Sequence, residues 1–502
     1  MKIRRLLPAL FLCLCLSVPV AADEVAAQDA SFSAEGFSSP QRLWDGDRGT
    51  YAAAGEGAAV HITGSTPIAS LYIEFDRLPQ PYALEGGGGS YPCGEEGFLH
   101  QYIDVTGLTG GGQENITLRF PKGTVIADIY AFSDGVLPNW VQVWEPPCEE
   151  ADLLLLSSHS DDEQLFFAGI LPYYAGERQL EVQVAYIVQH FEANGAQDHR
   201  RPHEQLDGLW TVGVRHYPII PEFPDLYAES KDRAEALRRA KDVYQNAGYS
   251  YEDFVGYLTG CIRRCKPLVV VSHDLDGEYG HGTHVLCADA LGTALQSAAD
   301  PAQYPESAVE YGVWQVEKTY LHLYGENPIV MDWDVPLEHF GGKTAFQVTQ
   351  EGFGCHKSQH WTWFYKWIYG TDGAPITKAS QISRYSPCLF GLYDTHVGLD
   401  EAGGDFFEHV KPYAQRRAEA EEAARAEAER IAAEEAARAE AERVAAEEAA
   451  QAEAAQAAAA KNAAVQQITM TAGVLAFALL ALLISRWGRH KKTSQRKGRR
   501  QL

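Results

Sequence analysis

From about residue 150 the chain alternates short, unbroken apolar runs with longer stretches of helical period. Leu153–Leu156, Val182–Val188, Val214–Ile220 and Pro267–Ser272 read as buried strands. Asp232–Asn246, Tyr251–Arg264 and Val285–Gln296 read as helices. This alternation predicts an α/β domain over residues 149–412, built on a doubly wound, mainly parallel sheet. The pattern upstream is different. Ala58–Ile62, Leu71–Phe75, Ile116–Phe120, Val125–Phe132 and Trp140–Trp144 are β-type runs separated by Gly-rich turns, which predicts an all-β sandwich over 23–148.

Two of the apolar runs end in clusters of chemistry-bearing residues. Leu153–Leu156 leads into Ser157-Ser158-His159-Ser160-Asp161-Asp162-Glu163, before the helix-like stretch Gln164–Leu171. Pro267–Ser272 leads into His273-Asp274-Leu275-Asp276-Gly277-Glu278-Tyr279-Gly280-His281-Gly282-Thr283-His284. Open α/β sheets bind their ligands at the carboxyl ends of strands. His281 and His284, three apart at a helix start, share one face, so one can bind a metal while the other faces substrate. Together the clusters supply His159, Asp162 and His284, three ligands that leave a fourth position for water, and Asp161 is a spare carboxylate beside it. Either cluster alone fits a helix cap or a loop hydrogen-bonder.

Segments in the N-terminal region add a first resemblance. Leu43-Trp44-Asp45-Gly46-Asp47-Arg48-Gly49-Thr50 and Ile129-Tyr130-Ala131-Phe132 resemble the discoidin-type, galactose-binding jelly roll found beside many carbohydrate-active enzymes. That resemblance implies either a glycan-holding module or a plain scaffold. Tyr82, Tyr91 and Trp140 are aromatics that could stack on sugars or belong to the core.

A second resemblance covers about residues 150–410. His159-Ser-Asp-Asp-Glu163 after a Leu-rich strand, joined to His273-Asp-x-Asp-Gly-Glu-Tyr-Gly-His281-x-x-His284, resembles the PIG-L/LmbE-like family of zinc-dependent de-N-acetylases. The resemblance implies a Rossmann-like fold and removal of acetyl from N-acetylglucosamine-type sugars or glycoconjugates. It also implies Zn²⁺ or another divalent ion on His159, Asp162 and His284, with Asp161 as general base and His281, if protonated, stabilising the oxyanion. Arg201-Pro-His-Glu204 resembles an Arg-x-x-Glu element whose Arg lies near substrate. Ser160 stands where Pro is usual, and Thr283 where an Asp commonly precedes the last His, removing a carboxylate that helps orient the histidines. Two other readings stay open: an amidase on a non-sugar substrate, and a surface adhesin whose enzyme-like domain only binds glycan. The aromatic-rich stretch Trp314–Trp367 reads mostly as packing, with room for an acceptor subsite.

The ends set the compartment. Residues 1–22 have the basic, apolar, small-residue layout of a secretory signal with cleavage after Ala22, an uncleaved anchor being the alternative. Residues 413–465 are nearly all Ala, Glu and Arg, and a 13-residue unit beginning at Arg425 recurs at Arg438. That period predicts a straight, solvated helical stalk ~80 Å long at 1.5 Å per residue, or else a weak coiled coil. Residues 466–485 contain the 17-residue apolar run Ile468–Ile484, long enough to span a bilayer, and 486–502 form a basic tail with eight positive charges. The positive-inside rule places this tail in the cytoplasm and makes the chain a single-pass type I membrane protein with an external enzyme domain. Of the formal net charge of −26, the tail's eight positive charges leave −34 for residues 1–485, which argues against a nucleic-acid partner. Seven cysteines lie beyond the signal, with Cys93–Cys148 and Cys355–Cys388 the first candidate pairs. Signal, stalk and tail together fit a bacterial surface. Asn115-Ile-Thr117 is a glycosylation sequon only in a eukaryotic setting.

Overall fold

The structure is a computed structural model and describes residues 26–193, 196–197 and 199–495. The expected signal, residues 1–22, and residues 496–502 of the basic tail lie outside the described residues. The chain separates into two units, Met1–Tyr413 and Ala414–Leu502.

Alternating apolar side chains and Gly-rich turns between residues 30 and 132 produce eight strands, all paired antiparallel. The long strand Ala52–Ile68 joins two sets of strands. Its second half pairs with Ala30–Phe37 and Gln113–Arg119, and its start pairs with Val125–Phe132. Val60, Ile62, Leu71, Ile73 and Leu118 are fully buried in the resulting core. Trp140–Trp144, expected as a strand, is irregular chain. Tyr82 is a core residue, which removes it as a sugar platform, whereas Trp140 is 42% exposed.

The α/β region forms a six-stranded sheet in the order Val182–Tyr186, Leu153–Ser157, Val269–Ser272, Lys318–His322, Leu389–Thr395, Pro328–Val330. The first four strands are parallel and the last two pairings antiparallel. Successive residues of the central strands serve opposite faces. Leu153, Leu155, Val269 and Val271 enter one core, while Leu154, Leu156 and Val270 enter another against helices Tyr251–Cys265 and Gly282–Ala299. A strand covered on both faces has no polar side, which explains the unbroken apolar runs. Val214–Ile220, expected as a strand, makes only isolated bridges, Glu145 to His216 and Ala185 to Ile219.

This topology positions the site. From Leu153–Ser157 the chain goes to one neighbour and later returns on the other side, so the strand order switches between Leu153–Ser157 and Val269–Ser272. Their register, Leu153 opposite Val269 and Leu155 opposite Val271, brings both polar clusters out side by side. The helix expected after Glu163 is a single turn, Asp162–Leu165. Gly169 at φ +93° packs against Trp333, whose ring lies 2.3 Å from where a Cβ would stand, and its left-handed backbone interrupts the helical run between Leu165 and Ile170.

In the second unit the Ala/Glu/Arg segment lies within the helix Tyr413–Gln495. The 13-residue repeat is visible as repeated ion pairs: Arg430 contacts Glu427 at 2.8 Å and Glu434 at 3.2 Å, and Arg443 contacts Glu440 at 2.7 Å and Glu447 at 3.2 Å. The same helix carries a segment long and apolar enough to cross a membrane by length and composition.

The seven cysteines Cys93, Cys148, Cys261, Cys265, Cys287, Cys355 and Cys388 carry no disulfide among the described residues. Cys148 packs with Ala151 and Cys265, away from the expected pairing with Cys93.

Candidate metal centre

Three donor atoms from the two strand ends converge. His159 Nδ1 lies 3.0 Å from Asp162 Oδ2 and 3.2 Å from His284 Nε2, and His284 Nε2 lies 3.2 Å from Asp162 Oδ2. Ligand bonds of about 2.0–2.1 Å at tetrahedral angles put donor atoms about 3.3–3.4 Å apart. The triangle therefore fits a divalent ion such as zinc. Asp162 Oδ2 also accepts the backbone N–H of His159 at 2.8 Å, which pins the turn holding both residues.

Two wider groupings, His159 with His281 and His284, and Asp162 with His273 and His284, keep their donor atoms within 4.8 Å of one another. The second is excluded by hydrogen bonding. His273 Nε2 accepts the Ser158 N–H at 2.8 Å and its Nδ1 faces Glu278 Oε2 at 2.8 Å, so both ring nitrogens are occupied.

Buried carboxylates orient the imidazoles. Glu278 Oε2 lies 2.6 Å from His284 Nδ1, and Glu278 Oε1 lies 2.6 Å from His322 Nδ1. An ionised carboxylate only accepts, so Glu278 keeps a proton on His284 Nδ1, and Nε2, which faces Asp162, is the nitrogen that would give up its proton to a metal. Glu278 thus supplies an orienting carboxylate despite Thr283. His159 Nε2 faces Asp225 Oδ1 at 3.4 Å. Burial lowers the His159 pKa, but Asp225 and Asp162 outweigh it and hold the group at about 10. His284, likewise opposed by burial, is held at about 9 by Asp162 and Glu278. Carboxylates that retain protons on two imidazoles create the potential in which a dication displaces those protons.

Asp161 adopts φ +134°, a conformation costly for a residue with a Cβ by about 1–3 kcal/mol. Its N–H is held by Glu163 Oε2 at 2.9 Å, and its Oδ1 faces Arg201 Nη2 at 3.3 Å. Burial pushes the Asp161 carboxyl up to about 6 against the pull of Arg201. Arg201 also donates to the Ser160 carbonyl at 3.1 Å. Glu204, the other end of that element, turns away and accepts from Ser358 N–H at 2.9 Å. Ser160 donates its N–H to His190 Nε2 at 2.8 Å, so its departure from the family pattern leaves the donor triangle intact.

His281 lies edge-on to His159, with ring centres 4.6 Å apart. Its buried Nδ1 has no hydrogen-bond partner among the described residues. Burial, then the neighbouring His159 and His284, hold His281 well below the usual imidazole range, so it is neutral where the sequence reading allowed for an imidazolium. Beside it, Tyr279 meets Trp363 and Phe364 at 5.9 and 5.6 Å, and Trp361, Trp363 and Tyr365 are exposed.

The structure thus brings His159, Asp162, His284, Asp161, His281 and Arg201 into one neighbourhood. Sequence reading missed the parts played by Glu278, Asp225, His190 and His322. Glu278 stands inside the second motif, but Asp225 comes from a two-residue strand, Pro224–Asp225, that no periodicity marks.

No family model matches the chain. Over 181 residues, 33% of this chain and 63% of the relative, it is 29% identical to 1D-myo-inositol 2-acetamido-2-deoxy-alpha-D-glucopyranoside deacetylase 2 of Saccharopolyspora erythraea. Over 184 residues, 34% of this chain and 60% of the relative, it is 35% identical to the deacetylase of the same description from Geodermatophilus obscurus. The chain spans only 63% and 60% of these relatives' lengths. Among solved structures it is similar to the N,N'-diacetylchitobiose deacetylase of Pyrococcus horikoshii, with a TM-score of 0.31 and 14% identity over 48% of this chain and 84% of that one. The chain is therefore related in sequence to deacetylases of a 2-acetamido sugar conjugate.

Proposed function

We propose that this chain is a divalent-metal-dependent hydrolase that removes the N-acetyl group from an N-acetylglucosamine-type sugar or glycoconjugate. The observation that carries this reading is the triangle His159 Nδ1, Asp162 Oδ2 and His284 Nε2, with sides of 3.0–3.2 Å, backed by Glu278 and Asp225. A zinc ion held by those three residues would act as a Lewis acid and lower the pKa of water toward about 7.

The remaining steps fall to side chains. Asp161, with its carboxyl near 6, accepts the proton of the attacking water and hands it to the departing amine as acetate leaves. Arg201 keeps the Asp161 carboxylate in place and adds positive charge beside it. Neutral His281 donates a ring N–H to the oxyanion that forms from the acetyl carbonyl. The exposed rings of Trp361 and Trp363 provide faces for a sugar next to the acetamido group.

Residues 149–412 constitute the hydrolase domain in this reading, 23–148 an accessory β domain, and 466–485 a single membrane anchor that leaves the hydrolase outside the cell. Incubating zinc-loaded protein with N-acetylglucosamine oligomers and an inositol-linked N-acetylglucosamine, and measuring acetate and free amine, tests the activity. Equal release of both products is expected. Metal-replete protein that releases neither from any of them would refute it.

A further inference from the structure

A separate cleft of about 780 Å³ runs along the seam between the β region and the α/β region. From this cleft we infer a second binding site, for a neutral oligosaccharide, distinct from the metal centre and formed by both regions together.

Its walls come from both regions. Arg48, Tyr51, Glu74 and Trp140 line one side, and His203 and Asp207 belong to the other. The back wall is the helix Arg200–Thr211, whose Arg201 turns away from the cleft to Asp161 and Asp225. The segment after Phe353 behaves the same way: Cys355 and Lys357 line the cleft, while the buried His356 faces Glu163 at 3.5 Å. The cleft and the metal centre therefore lie on opposite sides of one wall.

The polar groups at the seam are already fixed. Arg48 donates to Glu74 Oε1 at 2.5 Å and to Asp207 Oδ2 at 2.6 Å, and Gln142 holds the other Asp207 oxygen at 2.7 Å. His203 Nδ1 lies 2.7 Å from His100 Nε2 across the seam, and both rings are buried. Groups held in place before binding lose little entropy when a ligand arrives.

The balance of charge selects the ligand class. Four carboxylates (Glu74, Asp76, Glu204, Asp207) face three bases (Arg48, Arg200, Lys357), with signs interleaved. A phosphate-rich ligand would meet the carboxylates, and a polycationic one the arginines. Hydroxyl groups donate to one and accept from the other, so a neutral polyhydroxylated chain uses both. Tyr51 and Trp140 are 45% and 42% exposed, and Trp140 is braced edge-on by Tyr130 at 4.9 Å. Half-exposed rings, Trp140 among them held in place, beside fixed polar groups are what a pyranose needs: a flat apolar face and hydrogen bonds at its rim.

The test is isothermal titration of the full chain, in a detergent without a sugar headgroup, with neutral tetrasaccharides of glucose, galactose, mannose and N-acetylglucosamine at millimolar concentration. At least one should bind, and Y51A and W140A should each weaken it tenfold or more. Tyr51 has its side chain outside the core, so Y51A keeps the test valid if W140A misfolds. H159A, which disables the metal centre, should leave this affinity unchanged. Y51A should leave acetate release from monomeric N-acetylglucosamine unchanged. Absence of binding for all four sugars, equal binding by Y51A, or loss of binding in H159A would overturn the inference. Wild-type protein that binds a tetrasaccharide in a Tyr51-dependent way yet releases no acetate would refute the hydrolase reading and leave this one standing.

Discussion

Glu278 accepts the Nδ1 proton of His284 at 2.6 Å, and that contact leaves Nε2 of the same ring free to face Asp162 at 3.2 Å. The carboxylate also holds His273 and His322, so one fully buried side chain fixes three imidazoles. Glu278→Gln replaces an acceptor oxygen with a donor amide and lets the His284 tautomer invert. Zinc affinity should fall about 10–100-fold, with activity recovering at saturating zinc. Competition against a chromophoric chelator reads the affinity directly. An unchanged dissociation constant would remove Glu278 from its orienting position.

Asp161 makes a sharper separation possible. Asp161→Asn preserves shape and leaves the three donor atoms alone, but an amide cannot take a proton. Turnover should drop about 10²–10⁴-fold while bound zinc stays near one per chain. His159→Ala should lose both zinc and turnover. Elemental analysis alongside acetate release distinguishes the two variants, and an active Asp161→Asn would transfer the base to another residue.

Removal of the metal has a thermodynamic readout as well as a kinetic one. Chelation should abolish acetate release, and added zinc should restore it. Metal bound only by the folded chain at 100 times its dissociation constant adds about 2.7 kcal/mol of stability. Thermal melting with and without zinc should show an upward shift in wild type and none in His159→Ala.

Much of this was legible because chemistry and topology share short segments. His159-Ser-Asp-Asp-Glu and His281-x-x-His284 follow apolar runs, and apolar runs of that length become central strands whose ends adjoin. The β region was legible as strands, since its turns are Gly-rich, but the Trp140–Trp144 run has no strand beside it to pair with. Asp225 was invisible for a different reason. Its distance from the motif is closed only by tertiary folding, through a strand of two residues. Charge states were out of reach too: burial first, and then His159 and His284 beside it, hold His281 below the usual imidazole range, a relation that spacing alone does not carry.

Asp128 offers a test far from the metal. It is fully buried, its Oδ1 accepts the Gly46 N–H at 3.3 Å, and its Oδ2 has no hydrogen-bond partner among the described residues. Burial, opposed by the Gly46 N–H and reinforced by Glu74 and Asp45, raises this carboxyl from 3.8 to about 6. A carboxyl that binds its proton more tightly in the folded state costs no stability while protonated in both states. Stability is then lost as pH climbs from about 4 to about 6, and the loss is constant above that. Asp128→Asn keeps the acceptor oxygen and cannot ionise. The variant should therefore gain about 1–2 kcal/mol over wild type at pH 7.5, and much less at pH 4. Urea unfolding at the two pH values measures the difference. If the gap between variant and wild type is the same at both, the Asp128 carboxyl is not raised, and the charge at this end of the strand is relieved by other groups.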